Sequence, residues 1–265
     1  MAVESRSIIL KAEGVTKRFG SFVAVDHVNY HLYENEVAGI LGSNGAGKTT
    51  FFNMLTGHSF PSEGTILYNG QNITKMAARE RVAMGMMRTF QLTSTFDDLT
   101  VIDNLVLAFF RAHRKSSLWE LLRNTTRQQH KNERVLETLH TFDLEKLSGR
   151  LVKHLGLGEK RRMEIAMAIL AEPKVLLLDE PLAGLSESEI QGVLDVLRKQ
   201  VGQQTLLIIE HKISHLKDFL QRLIVMHEGK IIAEGGYEEC LHHPEVRKSY
   251  WQIDALADEA GSAVS

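Results

Sequence analysis

Gly42-Ser43-Asn44-Gly45-Ala46-Gly47-Lys48-Thr49 fills every fixed position of the pattern G-x-x-x-x-G-K-[ST] and stands between an apolar run and a helical one. Val37-Ala38-Gly39-Ile40-Leu41 reads as a buried strand, and Thr50-Phe51-Phe52-Asn53-Met54-Leu55 continues with helical character. Strand, glycine-rich turn and helix in that order describe a phosphate-binding loop. The glycines let successive backbone N–H groups converge on a polyphosphate at the positive end of the helix. Lys48 is expected to reach the β- and γ-phosphates and the Thr49 hydroxyl to bind Mg²⁺, with Gly42, Ser43, Asn44, Gly45, Ala46, Gly47 and Thr50 completing the cradle.

Far downstream, Val175-Leu176-Leu177-Leu178 is apolar throughout, as a strand buried on both faces can be, and it ends in Asp179-Glu180-Pro181. This reads as a Walker B motif at the carboxyl edge of a sheet, where such folds place ligands. Asp179 is expected to hold Mg²⁺ through water, and Glu180 to orient or deprotonate the water that attacks the γ-phosphate. A further apolar run, Thr205-Leu206-Leu207-Ile208-Ile209, ends at Glu210-His211. His211 is then either a sensor of the γ-phosphate or an ordinary histidine at a strand end.

Composition sets the limits around these motifs. A chain of 265 residues buries a substantial core as one large domain or two small ones. The formal charge of −2 gives no global electrostatic reason to expect nucleic acid. The single cysteine rules out an intramolecular disulfide and points to a reducing compartment. Met1 to Ser7 lacks the apolar core of a signal peptide, and no apolar run approaches the roughly 20 residues of a membrane span, so a soluble, cytoplasm-facing protein is expected.

Residues 8–33 and 62–75 alternate β-like runs with turn signals such as Tyr68-Asn69-Gly70-Gln71. From Leu99 to about Ala171 strand signals vanish, and Val135, Leu139 and Phe142 recur at helical spacing. Strands are expected again over 174–179, 205–210, 222–227 and 230–233. Between Arg111 and Arg134 seven Lys or Arg stand against two Glu, a stripe that either faces anionic lipid or forms a solvated helix face. Cys240-Leu241-His242-His243 matches no standard zinc spacing and reads as a helix end near the surface. Ala255 to Ser265 reads as a disordered tail.

The order of motifs resembles the ATP-binding-cassette (ABC) ATPases. The resemblance implies one domain over 8–250: an α/β, RecA-like phosphate-loop core with an antiparallel β subdomain, a helical subdomain inserted over about 92–171, and a tail over 251–265. It assigns Phe19 in Lys17-Arg18-Phe19-Gly20 to stacking on adenine. Gln91 in Arg88-Thr89-Phe90-Gln91 becomes the residue linking the metal and attacking water to a membrane partner. Asp179, Glu180 and His211 become the Walker B pair and the switch histidine. The family signature Leu-Ser-Gly-Gly-Gln falls on Leu155-Gly156-Leu157-Gly158-Glu159, so Gly158 is kept while Gly156 replaces the serine and retains only its backbone N–H. Ser186 stands where the family's following loop has aspartate.

What the resemblance implies for function is an ATPase using ATP and Mg²⁺, each ATP being sandwiched between two such chains, identical or related. Within the family, Arg88-Thr89-Phe90-Gln91, the run Phe96-Asp97-Asp98-Leu99-Thr100-Val101-Ile102-Asp103-Asn104-Leu105, Arg161-Arg162-Met163-Glu164-Ile165-Ala166 and Pro244-Glu245-Val246-Arg247-Lys248-Ser249-Tyr250 resemble the ATP-binding subunits of branched-chain amino-acid importers. That implies two integral membrane permease subunits, a periplasmic or extracellular substrate-binding protein, and a peripheral place on the cytoplasmic face of the bacterial inner membrane. A lipopolysaccharide-export ATPase is similar in size, but Arg88-Thr89-Phe90-Gln91 and the basic insertion argue against it. A soluble, non-transport ABC protein usually carries two cassettes or a long coiled coil.

Overall fold

The computed structural model describes residues 6–89, 95–112, 132–211 and 213–249. Gln91, most of the basic stretch and the tail lie outside them. The chain divides into two compact units, one built from residues 1–84 with 205–265 and the other from residues 85–204.

The first unit begins with β1 (Ile8–Phe19), β2 (Phe22–Tyr33), β3 (Val37–Gly42) and α1 (Lys48–Thr56), followed by β4 (Glu63–Tyr68), β5 (Gln71–Asn72) and α2 (Ala78–Ala83). The second holds β6 (Met86–Arg88), α3 (Val101–Ala112), α4 (Glu133–Thr141), α5 (Leu157–Ile169), β7 (Val175–Asp179) and α6 (Glu187–Arg198). The chain then returns to the first unit with β8 (Thr205–Ile209), β9 (Arg222–His227), β10 (Lys230–Gly235) and α7 (Tyr237–His242).

In the first unit an antiparallel sheet has the order β2-β1-β4-β5. Tyr68 pairs directly with Gln71, and the two residues between them, Asn69 and Gly70, both take positive φ (48° and 74°). A two-residue hairpin turn with both central residues left-handed matches the right-handed strand twist, which is why Asn-Gly marks it in the sequence. The other strands run in the order β10-β9-β3-β8, with β3 parallel to both β8 and β9. All six residues of β3 are buried, which explains its unbroken apolar run. At the start of β3, Glu36 is 2% exposed and accepts a forked pair of bonds from Arg222 of β9, both at 2.8 Å. Bidentate pairing and a third donor, the Tyr33 N–H at 2.9 Å, satisfy the buried carboxylate.

The second unit pairs β6 parallel to β7 and packs α3 on α4 and α5, and α5 on α6. Val135, Leu139 and Phe142 are all buried, as their spacing requires. Asn132 caps α4 by accepting from the Arg134 and Val135 N–H groups. Within the stretch read as free of strand signals, Thr100 and Leu151 form one isolated antiparallel bridge. β6 has no counterpart in the sequence reading, because three residues are too few to show a period.

Candidate nucleotide site

In the first unit, the loop between β3 and α1 is shaped by two left-handed glycines, Gly45 (φ 82°) and Gly47 (φ 95°). Gly47 is constrained twice: a Cβ there would also stand 2.4 Å from the Ala24 carbonyl oxygen of β2. Gly42 is constrained by space alone, since its Cβ would lie 2.7 Å from the Met226 carbonyl oxygen. The loop closes on itself through Ala46 N–H to the Ser43 oxygen at 3.1 Å. It is braced from outside by the Gly229 N–H, which donates to the Ala46 oxygen at 3.0 Å. Gly229 lies in the turn between β9 and β10, so this bond ties that turn to the loop.

Lys48 is 5% exposed, and its ammonium donates to the Gly42 and Ser43 carbonyls at 2.6 and 3.0 Å. The charge is thereby held against the first two carbonyls of the loop. Thr49 is exposed and Thr50 half-buried at the start of α1, whose cap residue Gly47 supplies no side-chain bond. The first N–H groups of this helix are therefore a positive end of the kind that receives phosphate.

The same unit carries two further sequence-read residues. Phe19 ends β1 and is 55% exposed, with the Lys17 ammonium 5.2 Å from its ring centre. Its register partner across the hairpin is Phe22, also exposed. Since Ala24 of β2 lies against Gly47, this aromatic hairpin tip is about 7 Å of strand from the loop. His211 is exposed and follows β8, whose Ile209 pairs with Ile40 of β3, so it shares the carboxyl edge from which the phosphate loop emerges.

In the second unit, Leu176, Leu177 and Leu178 are wholly buried and deliver Asp179 and Glu180 to the end of β7. Asp179 forms a close ion pair with the guanidinium of Arg88, at the end of the neighbouring β6. In the sequence Arg88 stands as part of a motif around Gln91; parallel pairing of β6 with β7 makes it a partner of Asp179, 91 residues away. Glu180 has φ 48°, a left-handed conformation uncommon for a residue with a Cβ and concentrated at functional turns.

The degenerate signature starts α5. Its Gly156 N–H donates to Glu159 at 2.8 Å, and its Gly158 N–H donates to Glu189 of α6 at 3.0 Å. The two backbone donors that the sequence leaves in place of a serine are thus engaged by carboxylates of the same chain. Gly184, in the loop after Glu180, lies beside Leu157 of the signature. The second unit therefore brings Leu157 against the Gly184 loop, whereas Gln91 lies outside the described residues.

A strand, a loop with left-handed glycines, a lysine bonded back to that loop and an uncapped helix start define a nucleotide-binding protein of the phosphate-loop class. Residues 25–183 match the family described as ABC transporter. The chain belongs to this family and is an ATPase of it. It is 33% identical over 247 residues to the high-affinity branched-chain amino acid transport ATP-binding protein LivG of Escherichia coli K12, covering 91% of this chain and 97% of that one. It is 34% identical over 246 residues to the lipopolysaccharide export system ATP-binding protein LptB of Haemophilus influenzae, covering 91% and 96%. Among solved structures, the ADP conformation of an ATP-binding cassette from an ABC transporter superposes with a TM-score of 0.77 at 30% identity, covering 92% of this chain and 98% of that one. Among the described residues, no helix is long and apolar enough to cross a membrane.

Proposed function

We propose that the chain is the ATP-hydrolysing subunit of an importer for branched-chain or related amino acids. In this reading it acts on the cytoplasmic face of the bacterial inner membrane with a second ATPase subunit, two permease subunits and a periplasmic or extracellular substrate-binding protein. The observation that carries the amino-acid reading is the likeness to LivG over 247 residues. Identity alone does not separate it from the lipopolysaccharide exporter, since 33% and 34% are equivalent; Arg88-Thr89-Phe90-Gln91 favours the importer.

The roles proposed for the site are those the family resemblance implies. Phe19 stacks on adenine, the loop from Gly42 to Thr50 holds the phosphates, and Lys48 neutralises charge on the β- and γ-phosphates. Thr49 and Asp179 offer a hydroxyl and a carboxylate, the hard oxygen donors that suit Mg²⁺, an ion that keeps much of its water and needs few protein ligands. Gln91 is assigned to the same ion. Glu180 orients or deprotonates water, His211 contacts the γ-phosphate, and Gly156 and Gly158 face the nucleotide of the second subunit. Two measurements test the reading. Glu180→Gln should lower Mg-ATP turnover about 10²-fold or more with ATP binding kept, the scale of a lost general base. Deleting the chain should abolish uptake of labelled leucine, isoleucine or valine while sparing lipopolysaccharide export; the reverse pattern would transfer the protein to the exporter class.

A further inference from the structure

The second unit contains a contact that the ATPase reading does not use. Glu189 sits three residues into α6 behind Ser186, the spacing of a helix cap, and one of its oxygens does that work: Oε2 accepts from the Ser186 hydroxyl at 2.6 Å and the Ser186 N–H at 2.9 Å. Capping leaves Oε1 over. Oε1 reaches 31 residues back along the chain to the Gly158 N–H at 3.0 Å. The fit is close, because a Cβ at position 158 would stand 2.7 Å from Cγ of Glu189, so only glycine lets this side chain lie across the helix start. The three donors hold the Glu189 carboxyl below the usual carboxylate range and therefore ionised at neutral pH.

We propose that Glu189 is a latch on this chain's signature: its Oε1 holds the Gly158 amide, and the terminal phosphate of ATP carried by a second subunit must displace it before the composite site closes. The proposal rests on the reading of Gly156 and Gly158 as partner-facing phosphate contacts. One N–H at a helix start serves one strong acceptor, and a carboxylate 3 Å from it repels an incoming phosphate as well as competing with it. Release is local, since Oε2 stays on Ser186 while Oε1 lets go. Two arginines and two glutamates share the surroundings, so a carboxylate that lets go leaves cations behind for a phosphate. Arg150 and Arg162 line an open cavity of about 580 Å³ together with Gly156, Gly158, Glu159 and Glu189. Arg150 stands 3.8 Å from the Glu159 carboxylate that holds the Gly156 N–H. Ser186, in place of the family aspartate, is the anchor of the latch, so the second departure from the family pattern serves the same device as the first.

Glu189→Gln tests it. The amide is isosteric and keeps an oxygen for Ser186, but its NH₂ cannot accept from Gly158, so the signature amide is freed without a cavity. With the full-length protein, the readouts are affinity for a non-hydrolysable ATP analogue with Mg²⁺ and, by sedimentation, the subunit concentration for half-association in that analogue. The expected result is unchanged analogue affinity and a half-association concentration lowered about tenfold, the size of one charged hydrogen-bond competitor removed. A cap with no further role gives the opposite, weaker or unchanged association. If Glu189→Gln does not fold, Glu189→Asp keeps charge and cap but is too short to reach Gly158, and the same gain is expected. Analogue bound normally but association not strengthened overturns the latch alone. No analogue binding by the wild type overturns the nucleotide reading and the latch with it.

Discussion

Replacing Arg81 by methionine removes a cation that the fold has buried among backbone carbonyls. Arg81 is 1% exposed, and its guanidinium is spent entirely on backbone. Nη1 donates to the Met54 and Leu55 oxygens at 2.7 Å each, Nη2 to Ile73 at 2.7 Å and Thr74 at 3.3 Å, and Nε to Met76 at 3.0 Å. The first two oxygens belong to the last turn of α1, the helix that begins with Lys48, so the positive charge also meets the negative end of that helix. Burial pulls the guanidinium down to about 10, which leaves it charged at neutral pH. Methionine fills similar apolar volume and donates nothing. Five carbonyls then lose a donor; four of these bonds are at ordinary length, each worth about 1.5–3 kcal/mol when the donor is charged. Against this stands the relief of no longer desolvating a cation, several kcal/mol, and carbonyls tolerate a missing partner better than N–H groups do. The difference is a destabilisation of about 3 kcal/mol, or roughly 6–12 °C in Tm for a chain of this size. Urea denaturation of wild type and Arg81→Met, read by tryptophan fluorescence and circular dichroism, measures it. Arg81→Lys, with three donors, should fall between the two. A loss below about 1 kcal/mol for Arg81→Met would refute the claim that these carbonyls depend on the guanidinium.

Other expectations follow from single positions. Lys48→Ala leaves the Gly42 and Ser43 carbonyls without their ammonium; ATP affinity, titrated with a fluorescent analogue, should fall tenfold or more in a protein that is still folded by circular dichroism, and unchanged affinity would remove Lys48 from the phosphate site. Gly47→Ala puts a Cβ 2.4 Å from the Ala24 oxygen at φ 95°, so stability should drop by about 1–3 kcal/mol and nucleotide binding with it; a variant that matched wild type in both would show that the loop yields. Burial pushes the Cys240 thiol up to about 11, against 9 for an ordinary one. Because the folded value is the higher, its contribution to stability is complete below pH 9 and is lost as pH rises towards 11. Folded protein at pH 8 should accordingly resist alkylation, and labelling as fast as in urea would contradict the burial.

What the sequence revealed and what it hid divide along chain distance. The phosphate loop is eight consecutive residues whose glycines, lysine and flanking strand are fixed by local geometry, and the left-handed angles at Gly45 and Gly47 are what the spacing requires. The strand from Val37 to Gly42 announces itself because burial on both faces leaves no polar position. The Asn69-Gly70 turn is as local. Partnerships are different in kind. Arg88 meets Asp179 only because β6 lies beside β7, and β6 itself is three residues long. The Gly229 bond to the loop joins the ends of strands that are far apart in sequence.

The signature shows how such a partnership changes the meaning of a local reading. From sequence, Gly156 for serine is a subtraction: one hydroxyl lost, two backbone donors left. In the fold those donors are occupied, Gly156 by a carboxylate three residues away and Gly158 by one 31 residues away. The nearer contact was legible in principle, since a glutamate at the third position of a helix commonly bonds back to the cap residue. The farther one required knowing that α5 and α6 bring their first turns together. A site can thus keep every backbone atom that a motif demands and still differ in whether those atoms are ready to bind. In the latch proposed for Glu189, the acceptor already in place at the helix start, more than the missing side chain, sets what an incoming phosphate must overcome.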